Sequence, residues 1–450
     1  MGTMDLKNHI THIYKRNGHI VAFDPDRITD AIFRAARSLG GENIQRARQL
    51  SDQVKARLNE TFEPGEKPTV EDIQDVVVEV LRDNGHSSTA RAYTRYRLEH
   101  SRLRERRQAG EISDTIPYKI LWEVLSWNMD YGCESVDHLN DHVRRGTLAL
   151  IIQAAEKVYH NEILELASSI LRKKDQARIV IIAGPSSSGK TTTTIKLKEA
   201  LRKKGVKLDL IGLDNYFKNL KEHPKDEFGD YDFERPESLD IDLINQHLYD
   251  LIKGREVQMP IYNFKTGRRE PTKIPFRLKK NHLLLIDSLH GLYEPMTQSV
   301  PDELKFRMYI EAMCQVKDAN GEFVRWADLR MLRRMVRDSW ARKYSPKETV
   351  GHWHYVRNAE LQYIVPYIHQ ADFIFNGSLP YELPVHKKYL WHYMDQIYNG
   401  FKDNPKRYDA FIRARRAYEL LNSITAIDDE SIIPRDSLMR EYIGGSIYKY

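Results

Sequence analysis

Cysteine is nearly absent: Cys133 and Cys314 are the only two in 450 residues, far apart and in no CxxC pair. That excludes a disulfide framework and a cysteine-ligated zinc cluster, and it fits a reducing compartment. Long apolar runs are missing as well: no window approaches the about 18 uninterrupted apolar residues of a membrane-spanning helix. No apolar signal segment follows Met1, and Leu6 breaks the myristoylation pattern behind Gly2. The expectation is a cytoplasmic chain without a membrane partner. Charge of one sign is lacking too, since 70 Lys and Arg stand against 64 Asp and Glu for a net +6. So small an excess makes no case for a nucleic-acid partner.

What is present begins with length. A chain of 450 residues, 41% hydrophobic and 30% charged, is expected to form two or three domains with separate cores. The most informative stretch is 179–194, where a β-branched apolar run empties into Gly184-x4-Gly189-Lys190-Thr191 and then into a helical pattern. The two glycines let the backbone curl without a Cβ clash, so that successive N–H groups and the positive end of the new helix face a polyphosphate. The pattern puts Gly184, Ser186, Ser187, Ser188, Gly189, Lys190, Thr191 and Thr192 around a nucleotide, with Lys190 on the β- and γ-phosphates and the Thr191 hydroxyl on Mg²⁺. A chance glycine-rich turn is the blander reading, and the flanking strand and helix argue against it.

From about 177 to 377, apolar stretches at 206–213, 283–287, 306–310 and 373–376 alternate with helical ones, which predicts an α/β fold with a parallel sheet and ligands at its strand C-termini. Two strand ends carry acids. Asp214 is a candidate general base that can share the Mg²⁺ shell, or equally a helix cap; Asp287 occupies the position of a Mg²⁺ carboxylate. Arg330, Arg333, Arg334 and Arg337 then fall at i, i+3, i+4 and i+7 with Arg342 a turn later, a guanidinium face that suits phosphate capture better than plain solvation.

The amino-terminal region reads as a hairpin over 11–23 turning at Asn17-Gly18, followed by helices over 26–38, 42–60 and 69–84, the last opened by the Thr69-x-x-Asp72 cap signature. A basic helical stretch runs on to Arg107. Tyr14-Lys15-Arg16-Asn17-Gly18, Phe23-Asp24-Pro25-Asp26-Arg27-Ile28, Thr69-Val70-Glu71-Asp72-Ile73 and Ala90-Arg91-Ala92-Tyr93-Thr94-Arg95-Tyr96-Arg97 resemble the ATP-cone, the nucleotide-sensing domain of ribonucleotide reductases and their repressor, over about the first 105 residues. The resemblance implies regulatory ATP or dATP binding around Lys15, Arg16, Arg27 and Thr69, although Asn17 replaces the usual Asp. A module that only docks or dimerises is the alternative. The reductase and the zinc-ribbon repressor both need more thiols than this chain has, so the cone must serve another activity.

Over roughly 145–450 the chain resembles the uridine kinase and phosphoribulokinase family, in particular its uridine kinase-like nucleoside kinases. The stretches that carry this are 184–192, Gly229-Asp230-Tyr231-Asp232-Phe233-Glu234, Tyr262-Asn263-Phe264-Lys265-Thr266-Gly267-Arg268-Arg269, His290-Gly291-Leu292, Ala371-Asp372-Phe373-Ile374-Phe375-Asn376 and the ending Arg440-Glu441-Tyr442-Ile443-Gly444-Gly445-Ser446. The resemblance implies that Asp214 is the catalytic Asp, Tyr262 a ring packing on the acceptor, Arg334 a substrate-side arginine, and Arg337 and Arg342 lid arginines reaching ATP. Glu234 stands for the Asp that holds ribose hydroxyls, and Asp287 and Ser288 stand for Glu and Gly at the Mg²⁺ position. The pocket His becomes Gly267, a further lid Arg becomes Tyr344, and a lid-side Gln becomes His352. The phosphate-handling residues are retained while the base-reading ones are not.

The expected fold is α/β, a P-loop NTPase-type parallel sheet flanked by helices, preceded by a small mainly helical ATP-cone domain and followed by a helical tail. The expected boundaries are 1–108 for the cone, 109–175 for a helical connector without chemistry, 176–385 for the kinase domain and 386–450 for the tail. The expected activity is ATP- and Mg²⁺-dependent phosphorylation of a small molecule's hydroxyl, uridine or a related nucleoside, in a homo-oligomer. A kinase for a sugar, polyol or sugar phosphate is one alternative. An ATP-sensing regulator with a vestigial kinase site is another.

Overall fold

A computed structural model describes residues 9–15, 20–37, 39, 41, 43–94, 97, 116–225, 229, 231–342 and 344–449. Arg16, the Asn17-Gly18 turn and, of the basic stretch through Arg107, residues 95–96 and 98–107 lie outside the described residues. The chain divides into two units, residues 1–114 with 399–412 and residues 115–398 with 413–450.

In the first unit β1 (His12–Tyr14) pairs antiparallel with β2 (Ile20–Ala22), Ile13 opposite Val21. Three helices follow, α1 (Pro25–Arg37), α2 (Ile44–Thr61) and α3 (Val70–Asp83). Each buries one stripe: Ile28 and Ile32 on α1, Leu50, Val54 and Leu58 on α2, and Val77 and Leu81 on α3. Thr69 and Asp72 cap α3 reciprocally, the arrangement their spacing predicts. The Tyr14 N–H donates to Pro68 O at 2.9 Å, which sets Tyr14, one residue before Lys15, beside Thr69.

The second unit opens with α4 (Tyr118–Asp130), α5 (Val136–Arg144) and α6 (Leu148–Lys173). The nucleotide-loop strand β3 (Ile179–Ala183), α7 (Lys190–Lys203), β4 (Lys207–Gly212) and α8 (Ile241–Ile252) come next. Two short antiparallel pairs interrupt the alternation, β5 (Glu256–Met259) with β8 (Ile274–Arg277) and β6 (Tyr262–Asn263) with β7 (Arg268–Arg269). The chain continues with β9 (His282–Ser288), β10 (Lys305–Glu311), α9 (Trp326–Arg337), α10 (Pro346–Tyr363), β11 (Phe373–Asn376), α11 (Glu382–Lys402), α12 (Tyr408–Asn422) and α13 (Arg440–Ile443), all within the second unit except the end of α11 and the start of α12, which fall in residues 399–412 of the first.

Five strands form one parallel sheet in the order β11–β10–β3–β9–β4. Every residue of β3 is buried, as a strand covered by helices on both faces requires. The connections leave β3 toward opposite sides, so the crevice beyond its carboxyl end is the topological switch point where such sheets bind ligands. Residues 118–173, expected as a connector, cluster with this sheet: Tyr159 of α6 hydrogen-bonds Thr193 of α7 at 2.6 Å. No helix among the described residues is long and apolar enough to cross a membrane.

Candidate active site

The phosphate loop is shaped by close approach. A Cβ on Gly184 would lie 2.3 Å from the carbonyl oxygen of Ile310, so only glycine lets β3 turn out beside β10 there. Gly189 takes a φ of +100° as the cap of α7, and Ser187 is held at a φ of +60°, a region L-residues seldom adopt. Lys190 curls over the loop and donates to Gly184 O at 2.8 Å and Pro185 O at 3.1 Å. Burial lowers its pKa, and Asp287, Glu234 and Asp214 pull it back up. The hydroxyls of Ser187 and Ser188 are buried with no partner among the described residues. Orphaned donors of this kind are costly unless a ligand uses them, and phosphate oxygens would.

Two acids meet the loop across the sheet. In register, Asp287 lies between Ile182 of β3 and Gly212 of β4. Burial pushes its carboxyl up to about 6, against the pull of Lys190 and with the help of Asp214. Asp214 sits in the single helical turn after β4; the crowded cleft walls raise its pKa, with Lys190 opposing and Glu234 adding to the rise. Among the described residues no cluster of three or more His, Cys, Asp or Glu side chains could hold a metal alone. One or two carboxylates, a hydroxyl and substrate phosphates are what Mg²⁺ takes in phosphoryl-transfer sites, and Asp287, Asp214 and the exposed Thr191 fit that pattern.

Beyond the loop, Glu234 accepts from Arg334 Nη1 at 2.8 Å, and the same guanidinium reaches Ser186 Oγ at 2.9 Å and Asp338 at 3.2 Å. Arg334 thus ties the phosphate loop to the segment that carries Glu234. Tyr262 belongs to an aromatic box with Phe217, His223, Phe233 and Phe264, its ring centroid 4.9 Å from Phe264 and 5.5 Å from Phe217. The Tyr262 hydroxyl and His223 Nδ1 are buried without partners among the described residues. His223 Nε2 lies 2.8 Å from Lys218 O, which assigns the proton to Nε2 and leaves Nδ1 an acceptor; burial lowers the ring's pKa and keeps it neutral.

Gly267 explains how His223 arrives there. Its φ is +65°, a Cβ would lie 2.9 Å from Leu220 Cβ, and its carbonyl accepts from Leu220 N at 2.8 Å. The turn that carries His223 therefore fills the room a side chain at 267 would need. Arg269 braces the neighbouring segment by donating to Tyr216 O and Phe217 O, each at 2.8 Å, and to Asp240 at 2.9 Å, which fixes the chain just after Asp214. The sequence marked Tyr262 and Glu234 but missed His223, whose only signal is the missing side chain at 267.

The arginine face of α9 divides in a way its periodicity does not show. Arg330 is wholly buried between Glu311 at 2.7 Å and Glu360 at 2.6 Å, and donates to Ser186 O at 3.2 Å. Arg333 is wholly buried on Glu382 at 2.6 Å and donates to Ser187 O and Gly377 O. These two do not capture phosphate, as the spacing suggested; they hold the phosphate loop by its carbonyls. Carboxylates at 311, 360 and 382, distant in sequence, balance charges that would otherwise stay at a ligand face. Arg337 and the half-exposed Arg342 remain on the open side, both beside Asp338, at 3.3 and 3.6 Å.

In the first unit, Tyr14, next to Lys15 in the chain, pairs with Thr69, whose hydroxyl is engaged with Asp72 at 2.7 Å, and exposed Arg27 stands 3.5 Å from Asp24. Arg16 lies outside the described residues.

A phosphate loop at the centre of a five-stranded parallel sheet, with acids at the next two strand ends, defines the class: a P-loop phosphotransferase fold. The chain belongs to the phosphoribulokinase/uridine kinase family, whose model matches residues 179–380, and the ATP cone domain matches residues 11–102. It is 30% identical over 202 residues to the uridine kinase of Chloroflexus aggregans, covering 44% of this chain and 87% of that protein. It is 29% identical over 197 residues to the uridine kinase of Staphylococcus aureus, covering 44% and 86%. A solved structure described as a possible uridine kinase from Bacillus stearothermophilus matches 48% of this chain and 98% of that one, at 17% identity and a TM-score of 0.34.

Proposed function

We propose that the protein transfers the γ-phosphoryl group of ATP to a hydroxyl of a small molecule, a nucleoside such as uridine. The observation that carries this reading is the meeting of Lys190, Asp214 and Asp287 at one sheet edge, where burial raises both acids and the lysine restrains them. Lys190 neutralises charge on the phosphates, aided by Arg337 and Arg342 from the open side. Asp214 orients the acceptor hydroxyl and takes its proton as the O–P bond forms. Mg²⁺, held by Thr191, Asp287 and Asp214, would supply charge neutralisation between the phosphates. Glu234 binds hydroxyls of the acceptor, and the box around Tyr262 stacks a flat ring whose N–H the bare His223 Nδ1 can accept.

The phosphoribulokinase half of the family's name supports one second reading, a sugar, polyol or sugar-phosphate acceptor. A panel of nucleosides, sugars and sugar phosphates with coupled ADP detection separates the two: nucleoside-dependent ADP release supports the first, and release only with sugars replaces it. The amino-terminal unit is proposed to bind regulatory ATP or dATP through Lys15, Arg16, Arg27 and Thr69, in a cytoplasmic homo-oligomer.

A further inference from the structure

The carboxyl end of the chain supplies part of the phosphate-loop wall. Helix α7 begins at Lys190, and its cap Gly189 has no side chain to satisfy the first-turn N–H groups. Such groups are unpaired within the helix and draw anions. Glu441, 5% exposed, accepts from Thr192 N at 3.1 Å and from Thr192 Oγ1 at 2.7 Å with the same carboxylate oxygen. It is held there firmly. The Tyr442 hydroxyl donates to Ser187 O at 3.1 Å, the Trp340 indole donates to Tyr442 O, and the Arg333 guanidinium lies 5.1 Å from the Tyr442 ring centroid. Leu438 closes over Gly189 so tightly that a Cβ there would lie 2.7 Å from Leu438 Cδ1.

We propose that Glu441 is a built-in anion that sets nucleotide affinity: it holds two donors on Thr192 that a nucleotide phosphate would use. The inference rests on reading the loop as a nucleotide site. Backbone N–H groups at the start of the loop's helix are the donors such loops offer to the phosphates. A phosphate arriving at Thr192 must displace Glu441 or share the donors beside a like charge. Glu441 and Asp287 also lie on the same side of Lys190 electrostatically, both supporting its charge before any substrate binds.

A purely structural cap and a competing anion predict opposite signs. With Glu441→Gln the amide oxygen keeps its place on Thr192 without the charge, and with Glu441→Ala both contacts to the carboxylate are lost. In calorimetric titrations of Mg-ADP into the full chain, both variants should bind at least about fivefold more tightly than the parent, the low end of ordinary coupling between sites, with KM for ATP falling. Unchanged or weaker binding by a variant whose melting curve shows it folded overturns the proposal. For the unmodified chain, the ¹³C signal of the Glu441 carboxylate should shift on saturation with Mg-ADP. An unmoved signal overturns it equally, and this arm does not depend on any variant folding. If neither the parent nor the variants bind Mg-ADP, the nucleotide-site reading fails as well; binding without tightening removes only the role of Glu441.

Discussion

At the residue scale, the proposed function rests on three side chains, and each gives a separate expectation. Asp214→Asn should lower kcat by about 10²- to 10⁴-fold, the range for loss of a general base, while the loss of Mg-ATP affinity measured by calorimetry is far smaller than the loss of kcat. A parent-like kcat on the true acceptor would show that Asp214 is not the base. His223→Ala leaves the ring of an acceptor without its hydrogen-bond acceptor, so KM for the acceptor should rise about tenfold while KM for ATP does not move. Equal changes in both would point to a general collapse of the aromatic box. Asp287 gives a pH signature. Its carboxyl titrates near 6 in the ligand-free protein, so apparent Mg²⁺ affinity should fall as pH drops through that value, and Asp287→Asn should abolish the trend. The sign for stability is opposite. Because the folded pKa lies above the unfolded one, the folded state holds the extra proton at low pH, and the stability Asp287 contributes is lost as pH rises through about 6.

At the scale of elements, α9 is a brace as much as a lid. Arg333 is buried on Glu382, whose carboxyl it holds down to about 2, and removing one partner of such a pair leaves the other charged and dry. Arg333→Met should therefore destabilise the second unit by about 3–5 kcal/mol, visible as a lowered melting temperature, and weaken Mg-ATP binding because Ser187 O and Gly377 O lose their donor. A stable variant with full nucleotide affinity would contradict the bracing role. The phosphate loop was legible in the sequence because strand, glycines and helix are contiguous, so local chemistry alone defines it. The cap at Thr69 was legible for the same reason. The division of labour among the arginines of α9 was not, because periodicity shows which residues share a face but not which carboxylates fold over it, and Glu311, Glu360 and Glu382 come from three different elements. His223 was hidden for a related reason: its place depends on what Gly267 lacks.

At the scale of the whole chain, a unit that matches the ATP cone domain and a unit that matches the kinase family are joined in one polypeptide, and the chain returns residues 399–412 to the first of them. The helices at 118–173 and the segment after 413 belong with the sheet. Composition could not reveal this, because an amphipathic helix shows that it packs but not against what. If the first unit regulates the second, Lys15→Ala should abolish the change in rate produced by adding dATP at fixed ATP, read in the coupled ADP assay. A dATP response equal to the parent's would leave that unit without a sensing role through Lys15. The central claim is that the loop at Gly184 delivers a phosphoryl group to an alcohol. It is tested most directly by ³¹P NMR of the full chain with Mg-ATP and the acceptor that releases most ADP. The account predicts a new phosphate monoester resonance growing in step with ADP; ADP and inorganic phosphate alone, or no turnover with any acceptor, would contradict it.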